Sequence, residues 1–226
     1  LVIDLQDLGV RSYTFISCMR LAIEACFENN VEVVVLDRPN PIGGLKVDGP
    51  PMENRWMSYV GAYRIPYVHG LTIGELATMS SKLSGWLEVD ENTREKGKLT
   101  VIPMEGWRRS MLWGDTGLQW RPTSPAIKDL SAALGYAMIG LGCELSNFSH
   151  GYGTHYLFRV IRYPGKKPEE IQAALTAKRI PGLTFKIIDI PVRNKNKARA
   201  VYALVSDWEA LRPTEISFHM MQIACS

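Results

Sequence analysis

Cysteine is scarce in this 226-residue chain, and none of it is arranged for chemistry. The four cysteines (Cys18, Cys26, Cys143, Cys225) show no CxxC or other metal-ligand spacing, which excludes a zinc ribbon and a disulfide framework. Cys18 and Cys26 fall in or near apolar helical positions, where a free thiol packs as a small hydrophobe. No apolar run reaches the ~18 residues of a membrane-spanning helix. Nucleotide-site glycine patterns are missing as well: there is no GxxxxGK(S/T) and no GxGxxG. A GxSxG elbow and an HExxH pair are equally absent. No metal is therefore expected. Charge of one sign is also lacking, with 26 basic against 23 acidic residues and a net charge of +3. The basic residues concentrate only at Arg108-Arg109, Lys166-Lys167 and between Arg193 and Arg199. In the last group Arg193-Asn194-Lys195-Asn196-Lys197 separates two apolar strands and reads as a solvated hairpin tip. Without interleaved aromatics it does not make a nucleic-acid groove.

Two apolar runs are present, and each ends in a dense polar cluster. Leu1 to Leu5 leads into Gln6-Asp7-Leu8-Gly9-Val10-Arg11-Ser12-Tyr13-Thr14, and Val31 to Leu36 leads into Asp37-Arg38-Pro39-Asn40-Pro41. Between them Phe15, Met19, Ala22, Ile23, Cys26 and Phe27 recur at helical steps. Strand, helix and strand within about 35 residues make a βαβ unit, whose strand ends share one edge of a parallel sheet. Ligands of open α/β sheets bind at that edge. Gln6, Asp7 and Arg11 are thus expected beside Asp37, Arg38 and Asn40, in a place suited to a polar ligand.

Downstream, Thr72 and Glu75 have capping-box spacing and open a helix expected to reach about Trp86. Glu88 to Lys98 reads as a charged loop, Leu99 to Pro103 as a strand, and Ser124-Pro125 as the start of a helix running to about Ile139. From Tyr156 the pattern changes to strand (Leu157–Tyr163), helix (from Pro168), strand (Thr184–Ile190), strand (Ala198–Val205) and helix (from Pro213). The expected architecture is α/β, a Rossmann-like parallel-sheet domain over 1–155 with a second, smaller α+β domain over 156–226. The chain starts inside a strand-like run and stops within a helix, so it reads as a fragment trimmed at both ends.

Several residue clusters have two readings. Asp37 to Pro41 has turn composition, yet an Arg beside a carboxylate at a strand end suits hydroxyl or carboxylate recognition. Arg11 either joins that recognition or pairs with Asp7. His69 precedes a helix N-terminus, where it caps, packs or faces an anion. Glu75 is better explained by the capping box than by catalysis. The loop from Glu144 to Thr154, with Asn147, Ser149, His150 and two glycines, lets backbone approach a ligand. With the other classes excluded, carboxylate chemistry is left, and Asp7, Asp37 and Glu144 are its candidates, since paired acids flanking a cleft run glycosidic acid–base catalysis.

The blocks Asp4–Thr14, Val35–Gly44 and His69–Ala77, with weaker matches at Gly117–Trp120, Ser124-Pro125 and Glu144–Thr154, resemble one family. It is the exo-acting β-N-acetylmuramidases of bacterial cell-wall turnover. The resemblance implies two domains with the active site in the cleft between them. It also implies a cofactor-free glycosidase that releases terminal N-acetylmuramic acid from peptidoglycan fragments, outside the cytoplasm (secreted or periplasmic). Arg11 or Arg38 would bind the lactyl carboxylate, and Gln6, Tyr13, Asn40, His69, Asn147, Ser149, His150, Trp107 and Trp120 would meet the rest of the sugar. The family pattern has a Pro-Glu-His-Gly block before the first strand seen here, and its glutamate is the favoured catalytic residue. Where the family reads Ser-Glu-Gly-Arg-Gly-Thr, this chain reads Ser149-His150-Gly151-Tyr152-Gly153-Thr154, and Ala126 stands where asparagine is expected. The alternative is a glycan-binding domain of the same fold with impaired catalysis. Oligomeric state is not legible.

Overall fold

Valine-rich runs too short to bury anything alone become a sheet because two helices cover them. A computed structural model describes residues 1–143, 148–191 and 197–225. It divides the chain into two compact units, Leu1–Gln119 and Trp120–Ser226.

In the first unit β1 (Val2–Ile3), β2 (Val33–Leu36) and β3 (Leu99–Ile102) form a parallel sheet in the order β1-β2-β3. Val2 pairs with Val34, and Val33 to Leu36 pair with Leu99 to Ile102. Helix α1 (Phe15–Glu28) makes the first crossover, and its inward stripe of Ile16, Met19, Ile23 and Phe27 joins Ile3, Val33 and Val35 in the core. Asn30, at φ 55°, ends the helix in the left-handed conformation that asparagine tolerates. That stripe also carries a buried ion pair: Arg20 Nε bonds Glu24 Oε1 at 2.8 Å, and Arg20 Nη1 donates to Ala62 O at 2.6 Å. The pair ties the 62 loop to α1 with its hydrogen-bonding capacity used.

Helix α2 (Ile73–Lys82) begins at the expected capping box: Glu75 N donates to Thr72 Oγ1 at 3.2 Å and Thr72 N to Glu75 Oε2 at 2.9 Å. It stops at Lys82 rather than near Trp86, because Leu83 takes an extended conformation. The expected charged loop contains a short helix, α3 (Glu91–Lys96), capped by Asp90 and braced by Arg94 on Glu91.

The second unit joins helix α4 (Leu130–Cys143) to an antiparallel sheet of β4 (Val160–Ile161), β5 (Leu183–Pro191) and β6 (Lys197–Val205) in the order β4-β6-β5, with α5 (Pro168–Ala177) and α6 (Pro213–Cys225). The strand expected over Leu157–Tyr163 shortens to its two central residues. The expected helix start at Ser124-Pro125 is a turn, in which Ile127 N reaches back to Ser124 O, and Asp129 supplies the cap one turn later. The change of pattern near 155 falls inside this unit: α4 packs on α6, and Ser217 Oγ donates to Met138 O, so residues 120–155 belong with the second sheet. Of the expected hairpin tip only Lys197 is among the described residues. No helix of the described residues is long and apolar enough to cross a membrane, and none of their His, Cys, Asp and Glu clusters has a metal-holding arrangement.

Candidate functional site

The carboxyl edge of the first sheet gathers most of the expected polar residues, and their partners separate them into roles. Asp37, the first residue past β2, is drawn into the start of α2. Its Oδ1 accepts from Gly74 N at 2.8 Å and Arg38 N at 3.0 Å, and its Oδ2 from Thr72 Oγ1 at 2.9 Å. Gly74 is required there, because a Cβ would stand 2.6 Å from Asp37 Cγ. Burial pushes the Asp37 carboxyl above its ordinary range, against the pull of those three donors.

Arg38 points the other way and forms a bidentate pair with Asp4, Nε to Oδ1 at 2.5 Å and Nη2 to Oδ2 at 2.8 Å. Hydrogen bonding from Arg38 holds the Asp4 carboxyl below its usual range. Among the described residues Nη1 of Arg38 meets no partner, so part of the guanidinium fork is left for a ligand. A pocket of 430 Å³ opens at this point, lined by Asp37, Arg38, Pro39, Met104, Glu105, Trp107, Met111 and Leu118. A second hollow of 460 Å³ shares Asp37 as a wall and is bounded by Leu71, Glu75, Val101 and Arg109. Arg109 is held there by Glu75 and by Gly70 O and Gly44 O.

Asp7 and His69 lie behind the pocket wall, 4% and 3% exposed. Val68 pairs with Val10 on one side and Asp48 on the other, which delivers His69 to Asp7. His69 Nε2 stands 3.3 Å from Asp7 Oδ2, which accepts Gly9 N at 2.7 Å. Gln6 Nε2 donates to Asp7 O at 2.8 Å and to Pro39 O at 2.9 Å. Asn40, also buried, is a brace: it donates to Leu71 O at 3.0 Å and accepts from Ile42 N at 3.2 Å. Gly9, at φ 76°, lets it pass, since a Cβ there would meet Asn40 Oδ1 at 2.4 Å.

Two expected sugar contacts are committed to the scaffold instead. Arg11 is buried, and its Nη1 donates to Pro50 O at 2.8 Å and Ile65 O at 2.6 Å, so it neither pairs with Asp7 nor lines the pocket. Tyr13 is buried with its ring 4.8 Å from that of Phe15. Ser149 and His150 belong to the second unit. Ser149 exchanges backbone hydrogen bonds with Arg162, and His150 stacks on Phe158 at 4.9 Å. Gly151, at φ 88°, answers a steric need within that unit, since a Cβ would stand 2.6 Å from Tyr156 O. Glu144 and Asn147 lie outside the described residues. Asp4 and Glu105 were missed as site residues. Asp4 was legible only as an acid interrupting an apolar run, and Glu105 only as a carboxylate just past β3.

Carboxylates, an incompletely used guanidinium and an indole around a pocket at a parallel-sheet edge make a candidate site for a small polar ligand. Comparison with known proteins narrows the class. Residues 1–131 match the N-terminal model and residues 134–226 the C-terminal model of the exo-β-N-acetylmuramidase NamZ. Over 186 residues, 82% of this chain and 42% of the relative, the chain is 40% identical to the peptidoglycan β-N-acetylmuramidase NamZ of Bacillus subtilis (strain 168). A crystal structure of a DUF1343 family protein from Bacteroides fragilis NCTC 9343 superposes with a TM-score of 0.88 at 38% identity, covering 98% of this chain and 57% of that one. A second DUF1343 family protein from the same organism gives a TM-score of 0.66 at 29% identity, covering 92% and 53%. The chain belongs to the exo-β-N-acetylmuramidase NamZ family, and it spans about half the length, or less, of these relatives.

Proposed function

We propose that the protein is a glycoside hydrolase that releases terminal N-acetylmuramic acid from peptidoglycan fragments, with the 430 Å³ pocket as the muramyl site. The observation that carries this reading is the lining itself: Arg38 with Nη1 uncommitted, Trp107, and two carboxylates in one hollow at the sheet edge. Muramic acid differs from other amino sugars in its lactyl carboxylate, and a guanidinium held by Asp4 in a fixed plane is suited to that group. Trp107 offers a flat apolar face to the sugar ring, and its buried Nε1–H meets no acceptor among the described residues. Glu105 is exposed and makes no hydrogen bond or ion pair among the described residues, so both its oxygens are free for hydroxyls. Asp37 is this pocket's candidate acid, because burial raises its carboxyl toward the range useful for proton donation.

The name of the Bacillus subtilis relative supports this substrate class. Peptidoglycan lies beyond the cytoplasmic membrane, so the proposal extends to a secreted or periplasmic location, which cell fractionation tests. The central experiment incubates the full-length protein with 4-nitrophenyl β-N-acetylmuramide and follows nitrophenolate release. Turnover supports the reading. Binding of the sugar without turnover replaces it with a glycan-binding domain of the same fold.

A further inference from the structure

The two hollows at the carboxyl edge of the first sheet, 430 and 460 Å³, have one residue in common, and it is Asp37. The divide between them continues along the chain leaving β3, where Pro103 lines the larger hollow and Met104 the smaller. Each has the volume of a small-molecule site and is open to solvent. Adjoining sites with a carboxyl group on their partition suit a substrate of two units joined by one bond.

The walls differ in chemistry. Arg38, Glu105 and Trp107, which carry the muramyl assignment, line the smaller hollow only. The larger has an apolar wall of Leu71, Met79, Val101 and Pro103, none of it fully buried. Arg109 borders this hollow with its side chain 43% exposed, Nη1 held by Gly70 O and Gly44 O and Nη2 by Glu75. Its Nε–H meets no partner among the described residues, which leaves a charged donor for a ligand. Gly74 keeps the partition clear: a Cβ there would stand 2.6 Å from Asp37 Cγ and 2.7 Å from Val101 Cγ1, touching the acid and the apolar wall at once. Within Asp37, Oδ1 takes two amide donors and Oδ2 only the Thr72 hydroxyl, so Oδ2 has capacity left for a proton.

Resting on the muramidase reading above, we propose that the 460 Å³ hollow is the leaving-group subsite and receives an N-acetylated amino sugar on the reducing side of the bond that is cut. Asp37 then stands where the two units join. As the bond from the muramyl C1 to the glycosidic oxygen breaks, the electron pair stays with that oxygen and the Asp37 proton joins it. The leaving unit departs with a free hydroxyl. Water supplies the hydroxyl on C1, and its other proton restores Asp37. The acetamido methyl lies on the apolar wall and the acetamido carbonyl accepts from Arg109 Nε–H, so a sugar with a plain hydroxyl at that position forfeits the apolar contact and the matched acceptor.

The test uses the full-length protein and three substrates that share the muramyl unit. One is the disaccharide with N-acetylglucosamine as leaving unit, one its analogue with glucose there, and one β-N-acetylmuramyl fluoride, which has no leaving sugar. Thr78→Trp places a large side chain on the α2 side of the hollow. It is expected to lower kcat/KM on the disaccharide about tenfold or more and to change that on the fluoride less than about threefold. Wild-type protein is expected to cleave the glucose analogue about tenfold less well than the disaccharide. Equal losses on disaccharide and fluoride in Thr78→Trp, or none on either, overturn the subsite and leave the muramidase reading standing. Equal rates of wild type on disaccharide and glucose analogue overturn the proposed ligand. Should Thr78→Trp not fold, the Met79 methyl resonance of wild-type protein decides, with free N-acetylglucosamine and glucose as probes. A saturable shift with the first that glucose does not produce supports the subsite; an unmoved resonance, or equal shifts with both, overturns it. If none of the three substrates is hydrolysed, the muramidase reading fails, and the same resonance judges the hollow as a site for an N-acetylated amino sugar.

Discussion

Asp37→Ala withdraws one acceptor from three donors, and the structure says which loss matters. The Thr72 hydroxyl is free to rotate and still serve Glu75 N, and the half-buried Arg38 amide is within reach of water. Gly74 N–H, which donates to Asp37 at 2.8 Å, is buried at the start of α2 and is stranded. An unsatisfied buried amide costs about 1–3 kcal/mol. Loss of the negative charge adds nothing to this, because burial raises the Asp37 carboxyl above its ordinary range and so disfavours the charged form in the folded protein. The expected destabilisation is therefore about 1–3 kcal/mol. Asp37→Asn keeps a carbonyl for Gly74 N–H and is expected to cost about 1 kcal/mol. Urea unfolding of the full-length protein at pH 7 measures both, with the slope checked for constancy. Equal losses in the two variants, or less than about 0.5 kcal/mol for Asp37→Ala, would refute the capping role. Acid supplies a second check. Burial raises the folded-state pKa of Asp37 above its ordinary 3.8, so the folded protein takes up this proton at higher pH than the unfolded chain does. Stability from this group rises as pH falls through the folded-state value and is complete below 3.8, while asparagine has no such gain. The gap between wild type and Asp37→Asn is expected to widen from pH 7 toward pH 4, and a narrowing gap contradicts it.

Three further outcomes follow from the same edge. Gly74→Ala, despite alanine's better helix propensity, is expected to destabilise by about 1–3 kcal/mol, because its Cβ would overlap Asp37 Cγ and Val101 Cγ1; a stabilised variant in the same urea assay contradicts the packing. Trp107→Ala is expected to raise KM on the aryl muramide about fivefold, an aromatic contact of about 1 kcal/mol, with a thermal midpoint within about two degrees of wild type. Asp4→Asn frees an exposed guanidinium, so it is expected to change stability by less than about 1 kcal/mol while weakening binding of N-acetylmuramic acid more than of N-acetylglucosamine in calorimetry. Equal weakening for both sugars would remove Arg38 from lactyl recognition.

The fold was legible where a period or a cap speaks locally. The apolar run of β2, the stripe of α1, the Thr72–Glu75 box and the Pro168 start of α5 all depend on residues within four positions of each other. Helix α3 was not legible because it has no buried face; its order comes from the Asp90 cap and the Arg94–Glu91 pair, which a hydropathy pattern does not register. The division between the compact units at 119/120 is not legible in the sequence because α4, apolar on nearly every side, has no stripe to show which neighbour it covers.

The site divides along the same line. Which residues reach the sheet edge follows from the βαβ unit, but what each does there follows from partners far away in sequence. Arg11 and Arg38 are the same chemical group in the same strand-end setting. Arg11 is consumed by carbonyls 39 and 54 residues away, while Arg38 meets Asp4 34 residues back and keeps a nitrogen free. Asp7 and Asp37 divide in the same way: Asp37 has three donors, two of them supplied from 35 and 37 residues away, and Asp7 Oδ1 has none among the described residues. A motif therefore locates the groups of this site, and the long-range hydrogen bonds decide which lone pairs and protons are left for a substrate.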